Sequence, residues 1–361
     1  MVQIRRRAFL RAAVTLGAAT LAGCVSAPAT DPTESEPTSI PASSATTRPA
    51  KPTATRASAT RVASPVAEAT AGQREPDPTA EPTQGVDPTT EPQPAYLAVV
   101  RGADAEAITR RAIVALGGME RFVQPGYRVI VKPNICNANH GPEYASTTNP
   151  TVVATLVAMC LEAGASSVRV MDSPFAGTAE AAYARSGIGD AVEAAGGEMD
   201  LMASMRFRDT DIPQGRDLTS WPIYQPVLDA DLVINVPIAK HHSLARLTLA
   251  GKNLLGVIEK RPQMHRNLGQ RIADLASVVR PGLTVVDAVR ILLANGPTGG
   301  NLADVRQENT VIASTDMVAA DAYATGLFGL APRDISYVAC EEDMGLGTTD
   351  LANVAVQEIE L

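Results

Sequence analysis

Residues 128–134 read RVIVKPN, residues 149–165 read NPTVVATLVAMCLEAGA and residues 167–174 read SVRVMDSP, and these three segments in this order decide the fold class. The outer two are short, Val/Ile-rich runs of strand length; the middle one is long enough for three helical turns. Asn149 before Pro150 supplies a cap followed by a first-turn proline. Ala163-Gly164-Ala165 then stops the helix with glycine. The same alternation extends in both directions. Strands are expected at 97–100, 128–131, 167–171, 232–236, 283–286, 310–313 and 354–356, and helices at 103–116, 150–163, 179–195, 268–279 and 317–327. Apolar strands alternating with helices imply an α/β fold, a mostly parallel sheet with helices on both faces. Residues 96–361 suit one such domain or two small lobes.

The N-terminal region has another character. Arg6-Arg7-Ala8-Phe9-Leu10-Arg11 matches a twin-arginine export signal, and the apolar run that follows ends in Leu21-Ala22-Gly23-Cys24, a lipobox. Residues 12–23 fall short of the roughly 20 apolar residues that cross a bilayer. The expectation is a signal peptide over 1–23 and a mature chain that begins at a lipidated Cys24. It would be exported by the twin-arginine route and held by its lipid on the outer side of the cytoplasmic membrane, or on the outer membrane where one exists. That route carries folded chains, which leaves room for a cofactor acquired before export. Residues 24–95 are built of Pro, Thr, Ser, Ala and scattered charges, a composition that cannot bury a core and reads as a disordered stalk.

The formal net charge is −8 and aromatic residues make up 4% of the chain, which argues against nucleic acid as a partner. Beyond Cys24 the cysteines are Cys136, Cys160 and Cys340, with no C-x-x-C spacing. No intrinsic iron–sulfur cluster is therefore expected, since such a site needs clustered cysteines, and no disulfide framework either. Cys160, inside the apolar helix, reads as simply buried.

In parallel sheets ligands bind outside the carboxyl ends of the strands. The residues just past the expected strands are Lys132-Pro133-Asn134, Asp172-Ser173-Pro174, Pro237 leading to Lys240-His241-His242, and Asp287. No strand leads into a G-x-G-x-x-G turn, and Gly251-Lys252-Asn253-Leu254-Leu255-Gly256 lacks the P-loop spacing. The ordered set Val131-Lys132-Pro133-Asn134, Asn149-Pro150, Asp172-Ser173-Pro174, Asn235-Val236-Pro237, Lys240, His242, the Gly251–Gly256 run, His265, Ile272-Ala273-Asp274-Leu275, Val286-Asp287-Ala288 and Asn295-Gly296-Pro297, followed by Asp316 and Asp321, resembles domain-of-unknown-function family 362 over nearly all of 96–361. Many members of that family carry a module with clustered cysteines, which this chain lacks. The resemblance implies a fold and leaves the reaction open.

Four histidines occur in the chain, and His241, His242 and His265 lie close to Lys240 and Lys252. Neighbouring side chains on an extended backbone diverge, so one of His241 and His242 should enter a site; the resemblance favours His242. His242, His265 and Lys240 are the candidate catalytic groups, as acids or bases. With Asp172 and Asp287, the two histidines alternatively form a divalent or transition-metal site. Lys132, Asn134, Lys252, Asn253 and Asn295 are the candidate contacts to a small anionic ligand. Asp316 reads as a helix cap, and Glu341-Glu342-Asp343 as a solvated acidic face. The expected function is an enzyme acting on a small anionic substrate. The alternatives are a non-catalytic ligand-binding lipoprotein, or a redox partner of a membrane complex, which needs a bound cofactor. Protein partners are not legible.

Overall fold

The structure, a computed structural model, describes residues 96–361; the export signal, Cys24 and the stalk to residue 95 lie outside the described residues. Twelve strands are present among them: β1 (Leu97–Arg101), β2 (Arg128–Pro133), β3 (Ser167–Val170), β4 (Glu198–Met199), β5 (Phe207–Asp211), β6 (Ser220–Tyr224), β7 (Leu232–Val236), β8 (Ile238–His242), β9 (Arg246–Thr248), β10 (Leu283–Leu292), β11 (Val305–Ser314) and β12 (Val356–Glu360). The main sheet runs β12-β1-β11-β10-β7-β2-β3-β4, with β8 continuing beside β10 and β9 paired to β8. Along this path β11 alone is antiparallel to its neighbours, so the sheet is mostly parallel. Central β2 is buried from Val129 onward on both faces, as a continuous apolar strand in a parallel sheet must be.

Helices cover both faces. On one side lie α1 (Ala105–Ala115), α2 (Pro150–Glu162), α3 (Ala179–Ser186) and α4 (Ile188–Ala194), packed through Ile113, Leu156, Ala182 and Val192 against Val129 and Val131. The short α5 (Gln225–Leu228) links β6 to β7. On the other side, α6 (Ala250–Asn253), α8 (Leu268–Ala276), α9 (Met317–Gly326) and α10 (Ser336–Asp343) bury Ala250, Leu275, Val318 and Val338 with Ile130, while α7 (Arg261–Met264) contributes Met264. The Asn149 side chain accepts from the Thr151 N–H and caps α2 as expected.

Several expectations need correction. The helix expected over 179–195 is broken at Gly187, whose φ of +70° ends α3 and starts α4. The last strand lies at Val356–Glu360, set by its register beside β1. Among the described residues no second lobe forms: the β5–β6 hairpin places Trp221, Ile223 and Tyr224 in the same core as α8 and α9. The acidic run at 341–343 is not uniformly solvated. Glu342 and Asp343 pair with Arg333, but Glu341 is fully buried on the inner side of α10 with no hydrogen-bond partner among the described residues. Burial, with Asp321 and Asp316 nearby, pushes its carboxyl far up, so it is held protonated.

Candidate functional site

A cavity of about 360 Å³ opens past the carboxyl ends of β2 and β3 and beside β8, where the polar residues after the strands converge. Lys132, Asn134, Asp172, Lys240, His242, Lys252, Asn253 and His265 all line it, so eight of the ten sequence candidates in the folded domain meet there. Its lining contains several cationic groups and one carboxylate, Asp172.

That carboxylate is already neutralised. Lys132 projects from the end of β2 on the same face as Ile130, and its Nζ lies 2.8 Å from Asp172 Oδ1; both side chains are almost wholly buried. Lys132 Nζ also donates to Asn253 Oδ1 (2.9 Å) and to the Pro133 carbonyl (2.8 Å), and Asp172 Oδ2 accepts from the Ile135 N–H (2.6 Å). Burial lowers the Lys132 pKa, and the adjacent carboxylate pushes back in favour of the charged form. Gly256 makes the pair possible, because a Cβ there would collide with Asp172 Oδ1 and crowd Lys132 Nζ.

The network continues through amides. Asn253 Oδ1 also accepts from Asn134 Nδ2 (2.9 Å), and Asn253 Nδ2 donates to Asn235 Oδ1 (2.8 Å). Asn134 Oδ1 in turn accepts from Lys240 Nζ (2.9 Å), which also donates to the carbonyls of Ser146 (2.6 Å) and Pro297 (3.0 Å). All three ammonium protons of Lys240 are thus occupied. Lys132 and Lys240 are braces of the wall. Asp321 supports them from behind, accepting from the N–H groups of Ala250 and Gly251 (2.7 and 3.0 Å) and thereby fixing the start of α6, which carries Lys252 and Asn253.

Lys252 is different. Its ammonium has no hydrogen bond or ion pair among the described residues. Burial, with Lys240, Arg261 and Lys132 nearby, lowers its pKa to about 8. His242 is nearly buried, and its Nδ1 accepts from the N–H groups of both Leu244 (3.1 Å) and Ala245 (3.2 Å). Two donors on Nδ1 place the proton on Nε2. Burial, reinforced by Lys252 and Lys240, pushes the His242 pKa down to about 3. The ring is therefore a fixed neutral donor at physiological pH, and the expected acid/base role does not suit it. His265 is exposed at the rim with its pKa lowered by partial burial and Lys252.

Two candidates lie elsewhere. Asp287 follows Val286 on β10, and strand alternation turns it to the opposite face from Lys132. There its oxygens accept from the N–H groups of Asn149 (2.7 Å) and Val289 (3.0 Å). Burial raises its pKa to about 6. Asn295 is exposed, with a φ of +55°, and its amide bonds Asp304; Pro297 from the same loop reaches the cavity instead. His241 accepts from the Gly296 N–H and faces a second cavity. Arg261 lines the site without having been named in the sequence, and Cys136 and Gly256 line it without having been site candidates. Arg261 donates to the Ser173 and Pro174 carbonyls (2.8 and 2.9 Å), leaving its other N–H groups unassigned among the described residues.

A family model described as Domain of unknown function (DUF362) matches residues 129–326, more than half of the chain. The chain belongs to the DUF362 family. Every cavity-lining residue named above falls inside the matched segment. The DUF362 chain is also 29% identical over 258 residues to the thylakoid-associated protein sll1697 of Synechocystis sp., covering 67% of this chain and 76% of that relative. Among solved structures, the lactate racemase apoprotein from Thermoanaerobacterium thermosaccharolyticum aligns with a TM-score of 0.38 and 12% identity over 61% of this chain and 54% of that one, too loose a likeness to bear on function.

The expected metal set does not assemble in this DUF362 domain. Asp287 is on the wrong face, Asp172 is bound to Lys132, and His242 offers Nε2–H rather than a lone pair to the cavity. Among the described residues no cluster of three or more His, Cys, Asp or Glu side chains is placed to hold a metal ion. Because its folded pKa is depressed, the contribution of His242 to stability is present above about pH 6.5 and is lost as the pH falls towards about 3. Imidazole nitrogen shifts measured by NMR should show His242 as the Nε2–H tautomer, unchanged from pH 8 to about pH 5. A titration of this ring near pH 6.5 would overturn the fixed-donor assignment.

Proposed function

We propose that this DUF362 domain is an enzyme for a small organic anion, bound in the cavity by Lys252, Arg261 and the Nε2–H of His242. The observation that carries this reading is the unequal use of the cations. Lys132 and Lys240 spend their protons on the protein's own oxygens, whereas Lys252 has no acceptor and the cavity's one carboxylate is taken. A half-buried cation with no counter-ion among the described residues favours a ligand that brings one. The nearby Leu244, Leu255 and Phe175 give the lining an apolar part, suited to a carbon skeleton rather than to a bare inorganic ion. His265, at the rim, is the group placed to exchange protons with solvent.

The full chain should bind one or more small carboxylates or phosphate esters in a calorimetric screen, and Lys252→Met should weaken that binding at least about tenfold, the worth of a charge-assisted hydrogen bond. Binding untouched by Lys252→Met, or no anion bound at all, would sink this reading.

The N-terminal motifs support a second part of the proposal: export and lipid attachment at Cys24, with the stalk holding the domain off the membrane. The Synechocystis relative is by name thylakoid-associated, and membrane association of this chain is assigned to the lipid. Cys24→Ala should abolish labelling by a fatty-acid probe and release the chain from the membrane fraction. Retention of label by that variant would refute lipidation at this position.

A further inference from the structure

We infer that Lys252 is a nucleophilic amine that condenses with the carbonyl carbon of a small oxo acid, forming an imine in the cavity. This inference rests on the anion-site reading above and names its substrate class. The three cavity lysines differ in what surrounds the nitrogen. Lys132 has a carboxylate, an amide oxygen and a carbonyl; Lys240 has an amide oxygen and two carbonyls. Those acceptors engage the N–H groups of each, which makes both side chains braces of the wall rather than groups presented to a ligand. Lys252 has none of them, although it lines the same cavity. Lys240, Arg261 and Lys132 lie near it, partly opposed by Cys136, and a lysine desolvated beside other cations is the recognised setting for an amine nucleophile. The lowered pKa, about 8, agrees with that geometry: an appreciable fraction of the side chain is neutral at ordinary pH.

The other lining groups suit the remaining parts of such a substrate. Arg261 has N–H groups to spare for the carboxylate, and His242 presents a neutral donor. In the condensation the Lys252 Nζ lone pair forms the new C–N bond and the carbonyl π pair moves to oxygen. A proton passes from the nitrogen to that oxygen to give a carbinolamine; the hydroxyl takes a second proton from solvent and leaves as water while the nitrogen lone pair completes the C=N bond, and loss of one proton from the protonated imine so formed gives the imine. One carbonyl compound and one amine thus give one imine and one water, with no oxidant or reductant. The protonated imine draws electrons from the adjacent carbon, so the chemistry it serves is breaking or making a bond at that carbon.

The test is reductive trapping. The full chain is incubated with pyruvate and sodium borohydride, then digested and mapped by mass spectrometry. Isobutyrate, a carboxylate of similar shape without the carbonyl, is the competitor. The expected result is a gain of about 72 Da on the peptide containing Lys252, roughly tenfold above any other lysine and reduced by isobutyrate. Lys252→Arg, which keeps the charge but has no amine nucleophile, should lose the adduct while retaining the melting temperature. Should pyruvate and isobutyrate both bind but label Lys252 no more than surface lysines, the imine inference is overturned and the anion site stands. Should neither bind at all, the inference is overturned together with the anion-site reading for this class.

Discussion

Lys132 and Asp172 meet at 2.8 Å with almost no solvent on either side chain, and the rest of the site is arranged around keeping that pair. Taking two charges out of water costs several kcal/mol each, and their attraction offsets this only when the remaining protons and lone pairs are satisfied. Asn253, Pro133 and Ile135 supply those partners, and Gly256 leaves the space. Removing either charge would strand the other, at a cost of about 3–5 kcal/mol. The pair also spans the fold: Lys132 ends β2, Asp172 follows β3, and Asn253 belongs to α6 on the helical layer above them. It therefore ties the sheet edge to the segment that carries Lys252.

From this constraint follows the division of labour in the cavity. Because Asn253 Oδ1 is committed to Lys132 and Asn134, the amide of Asn134 is oriented with its oxygen towards Lys240. Each amide's orientation is dictated by the next, and the chain of bonds ends with two lysines fully occupied. Lys252 is left outside the network, next to charges of its own sign. Burial, reinforced by the same polarity, keeps His242 neutral. A wall that is positive and rigid, with one unpaired amine, is organised for an anion before any ligand arrives, which lowers the cost of binding it.

Much of this was legible in the chain. The strand–helix alternation gave the parallel sheet because β2 and β7 are continuous apolar runs and α2 has clear start and stop residues. The convergence of Lys132, Asn134, Asp172 and Lys240 followed from one rule, that strand ends share an edge. Side-chain alternation implied that only one of His241 and His242 would enter the site, the family resemblance chose His242, and of the two only His242 lines the main cavity. Alternation also explains the failure at Asp287: it is an odd number of residues from Thr284, which pairs beside Asn235 on the face of Lys132, so it points away. That parity was available in the sequence once the register was known, and the register was not. Arg261 and Cys136 gave no sign of a site role, and Gly256 appeared only as the end of the Gly251–Gly256 run, because their importance lies in what approaches them from distant segments. Glu341 was misjudged because an E-E-D run carries no mark of which carboxylate faces inward. Most of all, residue type alone could not distinguish a bracing lysine from a free one.

That distinction is the central claim, and the titration of the Lys252 side chain tests it most directly. With lysine Cε carbons labelled and the resonance assigned through Lys252→Arg, the NMR midpoint for Lys252 in the ligand-free full chain should fall near pH 8. A midpoint near 10.5, the ordinary lysine value, would mean that Lys252 is solvated or held by an acceptor, and the account of an unpaired amine in a cationic cavity would be contradicted.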